Sequence, residues 1–102
     1  MSDGAPTLES LFAQLEAMRA ELEAGQLHNV ETLLNHHDRD VRAFLHSDAG
    51  RAAGYDALAG LLRAQLDLQR QMQAERDAVR QRMQASHRAD RAARAYLSLA
   101  GD

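Results

Sequence analysis

"DALAGLLRAQLDLQRQMQAERDAVRQRMQASHRADRAARAYLS", residues 56–98, carries no proline, and nothing in it breaks a helix. At 1.5 Å of rise per residue it predicts one helix about 65 Å long. Leu58, Leu61, Leu62, Leu68, Met72, Val79 and Met83 recur along it with helical period. The stripe then lapses. The same face next presents Ser86 and Asp90, and it turns apolar again only at Leu97.

Two shorter stripes precede it. Leu8, Leu11, Phe12, Leu15, Met18 and Leu22 predict a helix over 8–24, with Thr7 as N-cap and Gly25 as the left-handed residue that stops it. Val30, Leu33, Leu34, His37, Val41, Phe44 and Leu45 predict a second helix over 27–46. The short link between them implies a helical hairpin. "SDAGRAAG", 47–54, reads as a loop.

The hairpin reaches about as far as residues 56–83 of the long helix. The expected fold is therefore all-α: an antiparallel three-helix bundle, a short hairpin packed on one long C-terminal helix. Residues 84–98 are expected to overhang the core or kink away from it. Residues 1–6 are expected to be disordered, and 1–102 to form a single helical domain.

Composition narrows the function. A charged fraction of 26% and an apolar fraction of 45% are those of a globular chain. Without cysteine there is no disulfide, thiolate metal site or cysteine nucleophile. "MSDGAPTLES" has neither the basic residues nor the apolar run of a secretory signal, and no segment has the length of a membrane span. A cytoplasmic location is expected. The basic side chains are all arginine, and charge is unevenly spread. Residues 1–34 hold six acids against Arg19, and residues 69–96 hold seven arginines against Glu75, Asp77 and Asp90. Such polarity favours antiparallel packing or docking on a charged partner.

The stretch that most suggests chemistry is "NHHDRD", 35–40. On a helix His36 and His37 point about 100° apart, so they cannot chelate one ion together. His36 aligns with Asp40, but two ligands fall short of what zinc needs. His37 lies on the apolar stripe as a half-buried core-edge residue, and Asp38 is spaced to pair with Arg42. There is no phosphate loop and no nucleophile elbow. The chain is read as a binding protein, with no catalytic residue, no metal and no cofactor.

The C-terminal segment "SHRADRAARAYLSLAGD", 86–102, combines arginines with exposed-type apolar residues. Arg88, Arg91 and Arg94 step along one side, Asp90 is spaced to pair with Arg94, and Tyr96, Leu97 and Leu99 follow. Arginine and tyrosine are favoured in protein interfaces. An acidic chain without lysine argues against nucleic acid. The candidate partner-binding residues are Met72, Val79, Met83, Arg91, Arg94, Tyr96, Leu97 and Leu99.

"AELEAGQLHNVETLLNHHDRDVRAFL", "LLRAQLDLQRQMQAERDAVRQRMQ" and "RAARAYLS" together resemble the FliT-type flagellar export chaperones, which are similar in architecture to the FlgN type. Gly25, Arg39–Asp40, Phe44–Leu45 and Arg91 through Tyr96 stand at the matching places, and the likeness spans about residues 8–98. The chain departs from that pattern at Gly25-Gln26, where Gly-Asp is common, and at Ser86-His87, where a glycine is usual. The resemblance implies a cytoplasmic holdase. Its client would be an amphipathic C-terminal helix of a late flagellar subunit, typically the filament cap protein, passed on to the export ATPase or gate. No membrane partner is implied, and a weak homodimer is compatible with it. The alternative reading is a structural or regulatory protein that is an obligate coiled-coil-like homodimer, which the lapse of the stripe over 84–96 disfavours.

Overall fold

In the computed structural model, residues 5–101 are described and all the regular structure among them is α-helical. In chain order the elements are α1 (Leu8–Glu23), α2 (Leu27–His46), α3 (Asp48–Ala52) and α4 (Tyr55–Ala100). The chain divides into two units, Met1–Met72 and Gln73–Asp102. The segment predicted to be disordered, 1–6, lies outside the described residues up to residue 4; Ala5 and Pro6 are non-helical.

Both ends of α1 are closed by local chemistry. The Thr7 hydroxyl accepts from the Ser10 N–H at 3.0 Å, and the Ser10 hydroxyl accepts from the Thr7 N–H at 2.9 Å. This reciprocal box satisfies donors that the first turn would otherwise orphan. At the other end Gly25 adopts φ 77°. Its N–H donates to the Leu22 carbonyl at 3.0 Å, and the Gln26 N–H donates to the Glu21 carbonyl at 2.9 Å. Those two bonds are a Schellman motif, which requires a left-handed residue and so favours glycine. The chain reverses within three residues, and α1 and α2 pack against each other.

The core of the first unit gathers Leu11, Leu15, Met18 and Leu22 from α1, Val30 and Phe44 from α2, and Leu61, Leu68 and Met72 from α4. Leu8, Leu27, Leu33, Leu34, Val41 and Leu58 pack around it. Five residues counted in the sequence stripes stay outside, Val79 and Met83 because they lie beyond Met72, the last core residue of α4. Phe12, Leu45 and Leu62 are 36%, 46% and 55% exposed, because each sits at the margin of a stripe only a few residues wide.

The loop predicted over 47–54 contains the one-turn helix α3. Ser47 serves two elements. Its hydroxyl donates to the Phe44 carbonyl at 2.6 Å, closing α2, and accepts from the Gly50 N–H at 3.1 Å, opening α3. Gly50 is buried so tightly against α2 that a Cβ there would lie 1.8 Å from the Phe44 carbonyl oxygen. This glycine signals close approach of two backbones, although in the sequence it reads as a loop residue.

In the second unit, residues 73–101 continue α4 without a break, and none of them is buried. Only Glu75, Asp77 and Ala78 are partly covered. Polar contacts on its surface are local: Gln73 donates to Asp77 at 3.0 Å, Arg80 pairs with Asp77 at 3.5 Å and Arg82 with Glu75 at 3.8 Å. Neither Asp38–Arg42 nor Asp90–Arg94 forms an ion pair among the described residues, since exposed side chains gain little from such contacts.

Two glycines give opposite outcomes on substitution. Gly50→Ala drives a methyl into backbone and should destabilise the fold by roughly 1–3 kcal/mol. Gly60 lies inside α4, and a methyl added there would meet nothing within 4 Å, so Gly60→Ala should stabilise by about 0.5–1 kcal/mol. Urea denaturation midpoints of the two variants should move in opposite directions from wild type.

Candidate functional site

His37 projects from the centre of α2 into the core and is 0% exposed, where the sequence predicts a half-buried residue at the core edge. A neutral imidazole carries one donor and one acceptor, and burial requires a partner for each. Both are present. Gln14 Oε1, on α1, lies 2.8 Å from His37 Nδ1, and Gln65 Nε2, on α4, lies 3.1 Å from His37 Nε2.

The direction of these bonds is set from outside. Gln14 Nε2 donates to Asp40 Oδ2 at 2.6 Å, which turns the Gln14 carbonyl oxygen toward the ring. A carbonyl oxygen can only accept, so the proton sits on Nδ1 and Nε2 is left to accept from the Gln65 amide. Asp40 thus selects the tautomer of a histidine it does not touch. The relay Asp40–Gln14–His37–Gln65 links α1, α2 and α4 within the first unit.

Sequence pattern singles out His37 but neither glutamine, and it pairs Asp40 with His36, which is exposed. A signal for the glutamines exists: Gln14 precedes Leu15, and Gln65 lies between Leu61 and Leu68, each at the margin of an apolar stripe. A histidine on such a stripe demands polar neighbours at those margins.

Desolvation pushes the His37 pKa below its ordinary 6.5, and the Asp38 and Asp40 charges oppose that shift. The imidazole is a structural, neutral group. Beside it is a cavity of about 60 Å³ lined by Leu15, Leu34, His37, Asp38, Gln65, Leu68 and Gln69. That is room for water but well below the roughly 300 Å³ at which small-molecule sites begin. Among the described residues no group of three or more His, Cys, Asp or Glu side chains is placed to hold a metal ion.

The partner-binding candidates sort into three groups. Met72 is a core residue, 3% exposed, and offers no surface in the unbound chain. Val79, Met83 and Leu97 are 37%, 57% and 67% exposed and share one bearing of α4, since Val79 and Leu97 are about five turns apart. Arg91 and Arg94 are exposed; Arg94 stands beside that line, whereas Arg91 is turned about 120° from Leu97. Tyr96 and Leu99 are also exposed, but each is turned about 100° or more from Leu97, so the eight residues do not form one patch. Among the described residues no helix is long and apolar enough to cross a membrane.

The His37 relay has a pH signature. The unfolded chain takes up the histidine proton near pH 6.5, the folded chain only at lower pH. The stability that depends on neutral His37 is complete above pH 6.5 and is lost as pH falls from there through the lowered folded value. His37→Leu should remove this component from urea midpoints taken from about pH 5 to 8. At neutral pH the same variant should lose about 1–3 kcal/mol, because Gln14 and Gln65 lose their partner.

Comparison with protein-family models, with curated proteins and with solved structures gives no match to this chain.

Proposed function

We propose that this chain is a cytoplasmic helix-binding protein, an export chaperone of the FliT type, rather than an enzyme. Its frame on this reading is an antiparallel three-helix bundle of α1, α2 and the first part of α4, an arrangement supported by the shared core and by the His37 relay. It uses no metal and no cofactor. The client is an amphipathic C-terminal helix of a late flagellar subunit, the filament cap protein first among them. Holding that helix prevents premature assembly until the export ATPase or gate receives the client.

The observation that carries the reading is the exposure of three large apolar side chains on one bearing of α4 within 73–101, with Ser86 and Asp90 between Met83 and Leu97. Val79, Met83 and Leu97 are exposed, with Arg94 beside them. An apolar line with a cationic margin suits a helix that presents one apolar face and acids at its edges. Burying a methionine or leucine side chain contributes about 1.5–3 kcal/mol, and part of the sum is spent on the entropy of association. Such a surface gives a complex that forms and releases, as a chaperone requires.

Met83→Asp and Leu97→Asp should each weaken binding of a synthetic filament-cap C-terminal helix by about 2 kcal/mol, on the order of thirty-fold. Gln81→Asp, on the opposite bearing of α4, should leave it unchanged. Isothermal titration calorimetry, with circular dichroism to check helicity, measures both. Undiminished affinity in folded Met83→Asp and Leu97→Asp variants would remove the assignment, as would failure of the wild type to bind.

A further inference from the structure

Two helix faces that the core does not use carry matching patterns. On α1 and its C-cap, Ala13, Ala17, Ala20 and Ala24 follow one another at spacings of four, three and four, turned away from Leu11, Leu15, Met18 and Leu22. Glu9, Glu16 and Glu23 run along one flank of that stripe, one heptad apart, and all these residues are exposed. In the second unit, Ala85, Ala89, Ala92, Tyr96 and Leu99 follow at four, three, four and three, also exposed. Arg82 precedes them on the same seam, and Arg88 stands on the flank equivalent to that of the glutamates. Among the described residues Arg88 and Arg91 make no ion pair.

We propose that the acidic alanine face of α1 in one copy of this chain docks antiparallel on the arginine-bearing alanine face of residues 82–99 in a second copy. The spacings are those of a heptad seam, in which residues of every first and fourth position meet the partner helix. Alanine at those positions lets the helix axes approach to the short end of the usual 8–10 Å range. The two faces match in extent, about 24 Å for α1 and about 27 Å for 82–99.

Charge selects both the occupant and the direction. Two α1 faces together would set glutamate against glutamate, and two distal α4 faces would set arginine against arginine. Only the mixed pair is complementary, and the chain carries both halves. In a heptad notation Glu9, Glu16, Glu23 and Arg88 all occupy the position just before the first seam residue. Antiparallel helices bring like-lettered flanks together, so the glutamates face Arg88, with Arg82 on the seam beside it. Parallel helices would place them against Ser86 and Ala93, which carry no charge. Tyr96 and Leu99, 73% and 82% exposed, supply the largest apolar surface on the seam. The contact lies on a different bearing of α4 from Val79, Met83 and Leu97, and does not depend on the client reading.

Sedimentation equilibrium of the full chain tests this. Wild type should self-associate with rising concentration, and about ten-fold more weakly in ~500 mM than in ~50 mM salt, since exposed ion pairs are screened. Reversing α1 charge (Glu9→Arg, Glu16→Arg, Glu23→Arg) or the distal charge (Arg82→Glu, Arg88→Glu) should leave each variant monomeric where wild type associates. Mixing the two variants in equal amounts should restore association, because each then supplies the face the other lacks. Should either variant lose helicity by circular dichroism, Ala17→Arg and Ala89→Glu, single changes at exposed positions, give the same readout. A wild type that stays monomeric in low salt overturns the proposal. So does association that survives either reversal, or a mixture that fails to associate.

Discussion

A buried imidazole that must be neutral and must satisfy both nitrogens is the constraint around which the first unit is arranged. Leucine and methionine side chains pack acceptably in several helix registers, so an apolar core by itself tolerates slippage. The relay through Asp40, Gln14, His37 and Gln65 does not, because a shift of one residue on any of three helices leaves a buried polar atom unpaired. Each bond adds only about 1 kcal/mol when made, but losing a partner costs the full desolvation of the orphan. The relay's main effect is therefore on which arrangement forms rather than on how stable it is.

The same logic explains why histidine rather than glutamine or leucine occupies position 37. Its ring fills volume between Leu34 and Val41 while its two nitrogens point in opposite directions, one toward α1 and one toward α4. Asp40 lies on the partly covered rim, where water still screens its charge, and orients the Gln14 amide from there. A carboxylate deeper in the core would instead have been forced to protonate or to find a cation.

Helices are legible in the sequence where caps and stripes agree. Thr7, Ser10 and Gly25 bracket α1 with groups whose hydrogen bonds are short-range, so no tertiary knowledge is needed to place them. Gly50 is not legible. In a sequence its lack of a Cβ suggests conformational freedom, whereas its role is to let α3 touch the Phe44 carbonyl, a contact fixed only by the packed structure. Gln14 and Gln65 escape notice for a related reason: a glutamine beside an apolar stripe looks like solvated surface until the histidine it serves is known to be buried. Met72 is buried where its stripe suggests surface. Its stripe continues to Val79 and Met83 and so suggests a partner surface, yet the core ends just beyond Met72 rather than before it.

Among the described residues the second unit is a helix without a buried side chain, and its persistence rests on cooperativity and composition. Isolated helices are marginal because the first turn fixes several dihedrals for one hydrogen bond. Residues 73–101 avoid that step, since α4 is already helical when it leaves the core and the segment needs only to propagate. Alanine, arginine and glutamine are among the best residues for propagation, and they dominate this segment. A helix sustained in this way presents its faces already ordered. A partner that docks on it meets little backbone entropy cost, which lets small side chains and a few arginines make a specific contact that a disordered tail of the same composition could not.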